Sequence, residues 1–473
     1  MSVRRIACIA ALLAVCVAPA FLATPARAKG TAEDELRGKR RKALLEAGQR
    51  HLEIGVWARD QGLVPQATAE FIRAVEVSDG QHPGANKVLS IMQRYDEAFW
   101  KKRRKKPHQG LLDSYEKRAA KAAAAELDDR LDIARWASKK SDLADAAYAE
   151  YVDILRDLDR PLELDDKGTV VIGGGPIPDA LSARVVEHSV TINGKRYVRD
   201  AFLEKLPEVG EIHEAVHERV RVRTMKDDAQ AADVLALALA LLPQLEEETG
   251  GRPTRRMNVF VFTDKKTYDA YFDAAGLSEH KVAAGLAVSG MNIALVNGGG
   301  RSDEDVRGIA LHELSHLFDM GVTRGVMPSW YREGFAETFG GTGTFAWDGT
   351  TLTLGGKMAS FRLGAVKDGA QRIPLRELFT SSAHALLTTD RNRAAVFYAE
   401  SWALMRYFRE GATDDVREAF DTWQAFCRGA AIGAKIGDRD ASDGTATIAE
   451  FERLVGPHLD RIETEFATFV ESL

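Results

Sequence analysis

Two histidines and three glutamates carry the chemistry that can be read from this chain. HELSH at 312–316 sets His312 and His316 four residues apart, and PSWYREGFAE at 328–337 follows after a short loop. On a helix, positions i and i+4 lie one turn apart on one face, so both imidazoles can reach a single ion. Glu333 on the following segment supplies a third ligand, and the metal expected with such a set is zinc, with one position left open for water or substrate. Glu313 stands beside the ligands, where a carboxylate can take a proton from the attacking water and pass it to a leaving amine. Glu337, one turn beyond Glu333, can accept the other ring N–H of a ligating histidine.

The elements that must hold these residues are helices. Ser302-Asp303-Glu304-Asp305 reads as an N-terminal capping box, Ile309, Leu311, Leu314 and Leu317 form an apolar face, and Gly321 marks a stop. This predicts a helix over 303–320, and Pro328-Ser329 predicts the start of a second one. The chain carries a competitor, HEAVH at 213–217, with the same short pattern. Residues 218–224 after it alternate apolar and charged like a half-exposed strand, which would pull His213 and His217 off a common helical face. Surface histidines beside a strand are the expectation there.

HELSH followed by WYREGFAE resembles the gluzincin metallopeptidases, the group that includes thermolysin-like and aminopeptidase N-like enzymes. The resemblance covers about 225–410 and implies an α+β, two-lobed catalytic domain. It also implies Glu333 as third zinc ligand, since the first Glu of an EGFA run ligates zinc in the aminopeptidase branch. The 16 residues between His316 and Glu333 make a shorter spacing than is usual in the group, and Glu337 stays open as an alternative ligand. Downstream, Phe397-Tyr398-Ala399-Glu400-Ser401-Trp402 resembles the helix whose opening tyrosine hydrogen-bonds the oxyanion in that branch. This implies a catalytic role for Tyr398, a phenol being able to donate to developing negative charge; a core tyrosine is the alternative. The G-x-M-E-N run of the aminopeptidases is absent. Ser289-Gly290-Met291-Asn292 is the nearest match and lacks its acid, so an endopeptidase is favoured, with peptide added along a strand at 283–289.

Residues 1–28 have the form of a secretory signal: Arg4 and Arg5, an apolar stretch from Ile6 to Leu22, and Ala26-Arg27-Ala28 as cleavage site. An exported protein, periplasmic or secreted, with no membrane span after cleavage is expected; an uncleaved anchor is the alternative. Removing Arg4, Arg5 and Arg27 takes the formal charge from −6 to −9, which offers no global attraction to nucleic acid. Cys8 and Cys16 leave with the signal, so Cys427 has no partner for an intramolecular disulfide and stability must come from cores.

The expected organisation is a helical region at 29–160, a β-rich connector at 161–224, a zinc-binding lobe at 225–340 and a mainly helical lobe at 341–473. Within the first, residues 51–75 align with 130–155: Leu52 with Leu131, Ile54 with Ile133, Trp57 with Trp136 and, after one inserted residue, Leu63 with Leu143 and Phe71 with Tyr151. This is similar to tetratricopeptide-type repeats, which implies a docking surface for a protein partner or substrate; a helical domain that only packs on the enzyme is the alternative. Lys101 to Lys106 is an unbroken run of cations, read as a solvated loop. Gly298-Gly299-Gly300 lacks the residues of a phosphate loop and reads as a strand-to-helix turn. Asp438 to Gly444, with Glu450, is an imperfect match to a calcium loop and reads as an acidic turn. The leading reading is thus an exported zinc peptidase acting on peptides or proteins. Its rival is a non-catalytic binding protein braced by structural zinc.

Overall fold

Helix formation begins at Thr31, whose hydroxyl accepts from the Asp34 N–H while the Asp34 carboxylate accepts from the Thr31 N–H. This computed structural model describes residues 31–92, 108–207, 210–323, 325–433 and 445–473. The signal-like segment, the cationic run and the acidic segment 438–444 therefore lie outside the described residues. Helix α1 (Ala32–Asp60) folds back on α2 (Val64–Val77), and after α3 (Pro83–Met92) helix α4 (Gln109–Ala137) folds back on α5 (Ala144–Leu158). Each of the two aligned sequences is thus a helical hairpin. Matched residues do matched work: Leu63 and Leu143 are buried at the turns, Phe71 and Tyr151 on the second helices.

Strands β1 (Glu163–Leu164), β2 (Val170–Ile172) and β3 (Gly175–Pro176) form a small antiparallel sheet, followed by helix α6 (Asp179–Glu187). The hairpin β4 (Ser189–Ile192) and β5 (Lys195–Val198) turns at Asn193-Gly194, where φ is 42° and 72°, the left-handed pair that a tight hairpin requires. After α7 (Ala201–Lys205) come β6 (His213–Val216) and β7 (Val220–Thr224). These two do not belong to the connector expected over 161–224. They join β8 (Met257–Phe262), β9 (Gly285–Val288) and β10 (Ile293–Asn297) in one five-stranded sheet of order β6-β7-β8-β10-β9. β7, β8 and β10 run parallel, and the outer strands are antiparallel to their neighbours. Parallel neighbours need crossovers; α8 (Asp228–Thr249) and α9 (Lys265–Ala274) supply them.

The half-exposed strand expected over 218–224 is also corrected. Every residue of β7 is buried, including Arg221 and Arg223 at 1% and 2% exposure. Val220 and Val222 enter the main core, while the arginines on the other face meet Glu214, Asp159 and Asp200. Carboxylates stand in for solvent, so the alternation records two buried faces of different chemistry. Helix α8 is long and apolar enough to cross a membrane by length and composition, yet Val234, Leu237, Leu241 and Leu245 are buried in that same core.

The motif helices are α10 (Asp303–Thr323) and α11 (Ser329–Gly340), followed by the hairpin β11 (Phe345–Trp347) and β12 (Leu352–Leu354). Helices α12 (Ser360–Lys367), α13 (Leu375–Thr380), α14 (Ala383–Thr389), α15 (Arg391–Arg406), α16 (Asp414–Gly433), α17 (Thr445–Leu454) and α18 (Leu459–Ser472) complete the chain. The fold is mixed α+β and 65% helical. One hydrophobic core runs from Val220 through Leu311, Trp330 and Trp402 to Val470, so the segments 225–340 and 341–473 pack against a common interior.

Candidate metal centre

Helix α10 starts as its sequence predicts. Ser302 Oγ accepts from the Asp305 N–H at 3.1 Å, and the Asp305 carboxylate accepts from the Ser302 N–H at 3.2 Å. Leu311, Leu314, Leu317 and Phe318 turn into the core. That commitment fixes the opposite face, where the Nε2 atoms of His312 and His316 stand 3.1 Å apart. Helix α11 reaches this face because glycines let backbones touch. A Cβ on Gly340 would fall 2.4 Å from the His312 amide nitrogen, and one on Gly334 would fall 2.4 Å from the Ser401 carbonyl oxygen on α15. Held between α10 and α15, α11 brings Glu333 Oε2 to 3.2 Å from His316 Nε2 and 3.3 Å from His312 Nε2.

Three ligand atoms bound tetrahedrally at 2.0–2.1 Å from one ion are separated by about 3.3 Å. The triangle formed by His312, His316 and Glu333 has that size, and among the described residues it is the one group of three able to hold a metal ion. The electrostatics point the same way. Burial opposes charge on His312, yet the Glu333 carboxylate, with Glu313 and Glu337 near, outweighs it and lifts the imidazole to about 9. Burial likewise opposes charge on Glu333, and His316 and His312 hold its carboxyl well below the usual range. The pocket favours a positive charge at its centre, which a cation between the three atoms would satisfy.

Glu313 is 7% exposed and lies outside that group of three. Burial pushes its carboxyl up against the pull of His312 and His316, and the Ala287 N–H of β9 faces it. A Cβ on Gly285 would come within 2.6 Å of Glu313 Cγ and Oε1. Glycine at 285 therefore gives the carboxylate its seat beside the edge strand. Glu337 stands outside the triangle: Arg362 Nη1 donates to both its oxygens at 2.9 Å, and one oxygen lies 3.7 Å from His312 Nδ1. It is a neighbour of His312 held by an arginine, and its carboxylate is not in the ligand set. Tyr398, on α15, has its ring 6.2 Å from that of His312. Burial first, then Glu333, Glu313 and Glu337, raise its hydroxyl well above the ordinary value, so it keeps its proton and can donate it. Tyr407 begins the π-helical turn after α15, and its hydroxyl donates to Glu465 at 2.6 Å, away from the triad.

His213 and His217 are not brought together. His213 lies on β6 with Nδ1 3.1 Å from Asp228 Oδ1, and His217 Nδ1 accepts from the Arg219 N–H at 3.2 Å. Ser289–Met291 is a short 3-10 turn closing β9, and Asn292 takes a left-handed φ of 49°. Glycines 298–300 connect β10 to α10, as the strand-to-helix reading expects. Glu450 pairs with Arg453 on its own helix. Sequence reasoning missed Gly285, Gly334, Gly340, Arg362 and the buried Asp319. Burial lifts the Asp319 carboxyl to about 6 against the pull of Arg332 and His316. Glycines inside the EGFAE helix and at its end were the one visible signal of close packing. No family model and no curated protein matches the chain.

Proposed function

We propose that the protein is a zinc-dependent peptidase, an endopeptidase of gluzincin type, with the metal held by His312, His316 and Glu333. The observation that carries this reading is Glu313: a buried carboxylate beside the triangle, outside the ligand set and against an edge strand. A purely structural metal site has no use for such a group. Zinc, when bound, would supply a Lewis acid that polarises the scissile carbonyl and makes water acidic. Glu313 then takes the proton of the attacking water and delivers it to the leaving amine, for which a carboxyl pushed up by burial is suited. Tyr398 donates to the oxygen that becomes negative. Glu337, clamped by Arg362, limits the freedom of His312. Strand β9, paired among the described residues only with β10, offers main-chain groups to an extended substrate.

In this reading the cleft of a two-lobed enzyme lies between the β9–α10 side and the α15 side. The N-terminal hairpins form a tetratricopeptide-like unit, and the signal-like segment sends the protein out of the cytoplasm. A diverse peptide library digested with and without a chelator tests the activity. Chelator-sensitive internal cleavage supports it, and absence of cleavage by fully zinc-loaded protein moves the weight to the binding-protein reading.

A further inference from the structure

A groove of about 700 Å³ opens between the N-terminal hairpins and the sheet, and none of the metal-facing residues lines it. Helices α1, α2 and α4 form one wall, and the start of β8, the start of β10 and the turn closing β9 form the other. Continuity with the metal centre gives it meaning. A Cβ on Gly285 of β9 would lie 2.6 Å from Glu313, the Ala287 N–H faces the same carboxylate, and Gly290 and Met291, just beyond the end of the strand, line the groove. Four residues of extended chain span at most about 13 Å. A polypeptide laid along β9 over Glu313 therefore reaches the groove within about four residues.

The wall chemistry says what fits. Seven arginines and seven carboxylates line the groove, and pairs such as Arg73–Glu126, Arg223–Asp200 and Arg256–Asp159 fix many of them. Such walls offer donors and acceptors without a net field. Nucleic acid needs a surplus of cations, whereas a peptide backbone needs donors and acceptors in equal measure. Ala119, Ala120 and Ala123 keep the α4 wall low, so a main chain can approach it. The floor is pre-formed: His51, 5% exposed, lies 2.7 Å from Glu70, which also accepts from the Tyr115 hydroxyl at 2.9 Å.

Resting on the peptidase reading above, we propose that this groove is an exosite for the same substrate chain, taking an extended segment of mixed charge that begins about four residues from the scissile bond. The N-terminal hairpins thereby become part of the substrate path.

Ala120→Trp and Ala123→Trp fill the groove from exposed positions on α4 and leave the triad untouched. Two peptides are compared: a hexapeptide with the scissile bond at its centre, too short to enter the groove, and a 20-residue peptide containing it. The expected result is an about tenfold higher KM for the long peptide in each variant, with kcat unchanged and the hexapeptide cleaved as by wild type. Equal losses on both peptides, or no loss on the long one, overturn the exosite. If wild type cleaves neither, binding of a fluorescently labelled, reduced and alkylated protein is measured by anisotropy. Binding that Ala120→Trp weakens at least about tenfold would keep the groove as a polypeptide site while the peptidase reading falls. No binding overturns both.

Discussion

The chain writes His-Glu-x-x-His twice, and only one copy brings its two histidines together. In HELSH the helical pitch folds four residues into one turn, and the two Nε2 atoms meet at 3.1 Å. In HEAVH the same four steps run along β6 and out of it, about 13 Å of extended chain, and each histidine finds a separate partner. The glutamates differ as much. Glu214 is locked by Arg221 at 3.0 Å and Arg223 at 3.3 Å and accepts from Tyr197, whereas Glu313 is buried beside the two imidazoles with no arginine paired to it among the described residues. A motif of this kind specifies chemistry only together with the period of the element that carries it. One copy stores its charge in folding; the other leaves it available.

The comparison breaks most visibly at the metal. His312→Ala or His316→Ala should lose the bound zinc and all activity, while the double substitution His213→Ala, His217→Ala should keep both, as elemental analysis of purified protein would show. A reversed pattern would move the site to β6. Exchanging the two glutamates for glutamine sharpens the contrast. Glu313→Gln should retain zinc and lose at least about 100-fold in peptide cleavage. Glu214→Gln should retain the metal but cost roughly 3 kcal/mol in denaturant unfolding, because two buried arginines lose part of their partner. If both variants act on stability alone, Glu313 is no base.

Smaller effects are expected around the triad. Tyr398→Phe should lower kcat on the order of 10- to 1000-fold with KM and zinc content nearly unchanged. Tyr407→Phe should leave kinetics alone and cost about 1 kcal/mol through the lost bond to Glu465. Equal, small kinetic effects at both positions would make Tyr398 a packing residue. Gly285→Ala should reduce kcat about tenfold by displacing Glu313, with metal content intact. An unchanged kcat would mean that the edge strand yields instead.

Much of this was legible because it is local. The capping box at Ser302, the i,i+4 histidines and the helix start at Pro328 depend on neighbours a few residues away, and β9 (Gly285–Val288) falls inside the strand expected at 283–289. What escaped depends on distant partners. β7 read as half-exposed because Arg221 and Arg223 are ordinarily solvated, and nothing near them announced that Asp159 and Asp200 would enclose them. The connector boundary failed for the same reason, since β7 belongs with β8, across a 22-residue helix. Gly285 was invisible as a site residue because its meaning lies in Glu313, which packs on it from another element.

Cys427 gives the common core a clock. It is the single cysteine among the described residues, 0% exposed, and it shares its interior with Leu311, Leu314 and Trp330 of the two motif helices. A thiol reagent can reach it only when that interior parts, so the labelling rate reads out how often the scaffold of the metal centre opens, with no engineered probe. Metal that binds only the closed form should slow the reaction in proportion to its saturation. Zinc affinity would then be measurable through a sulfur atom that never touches the ion.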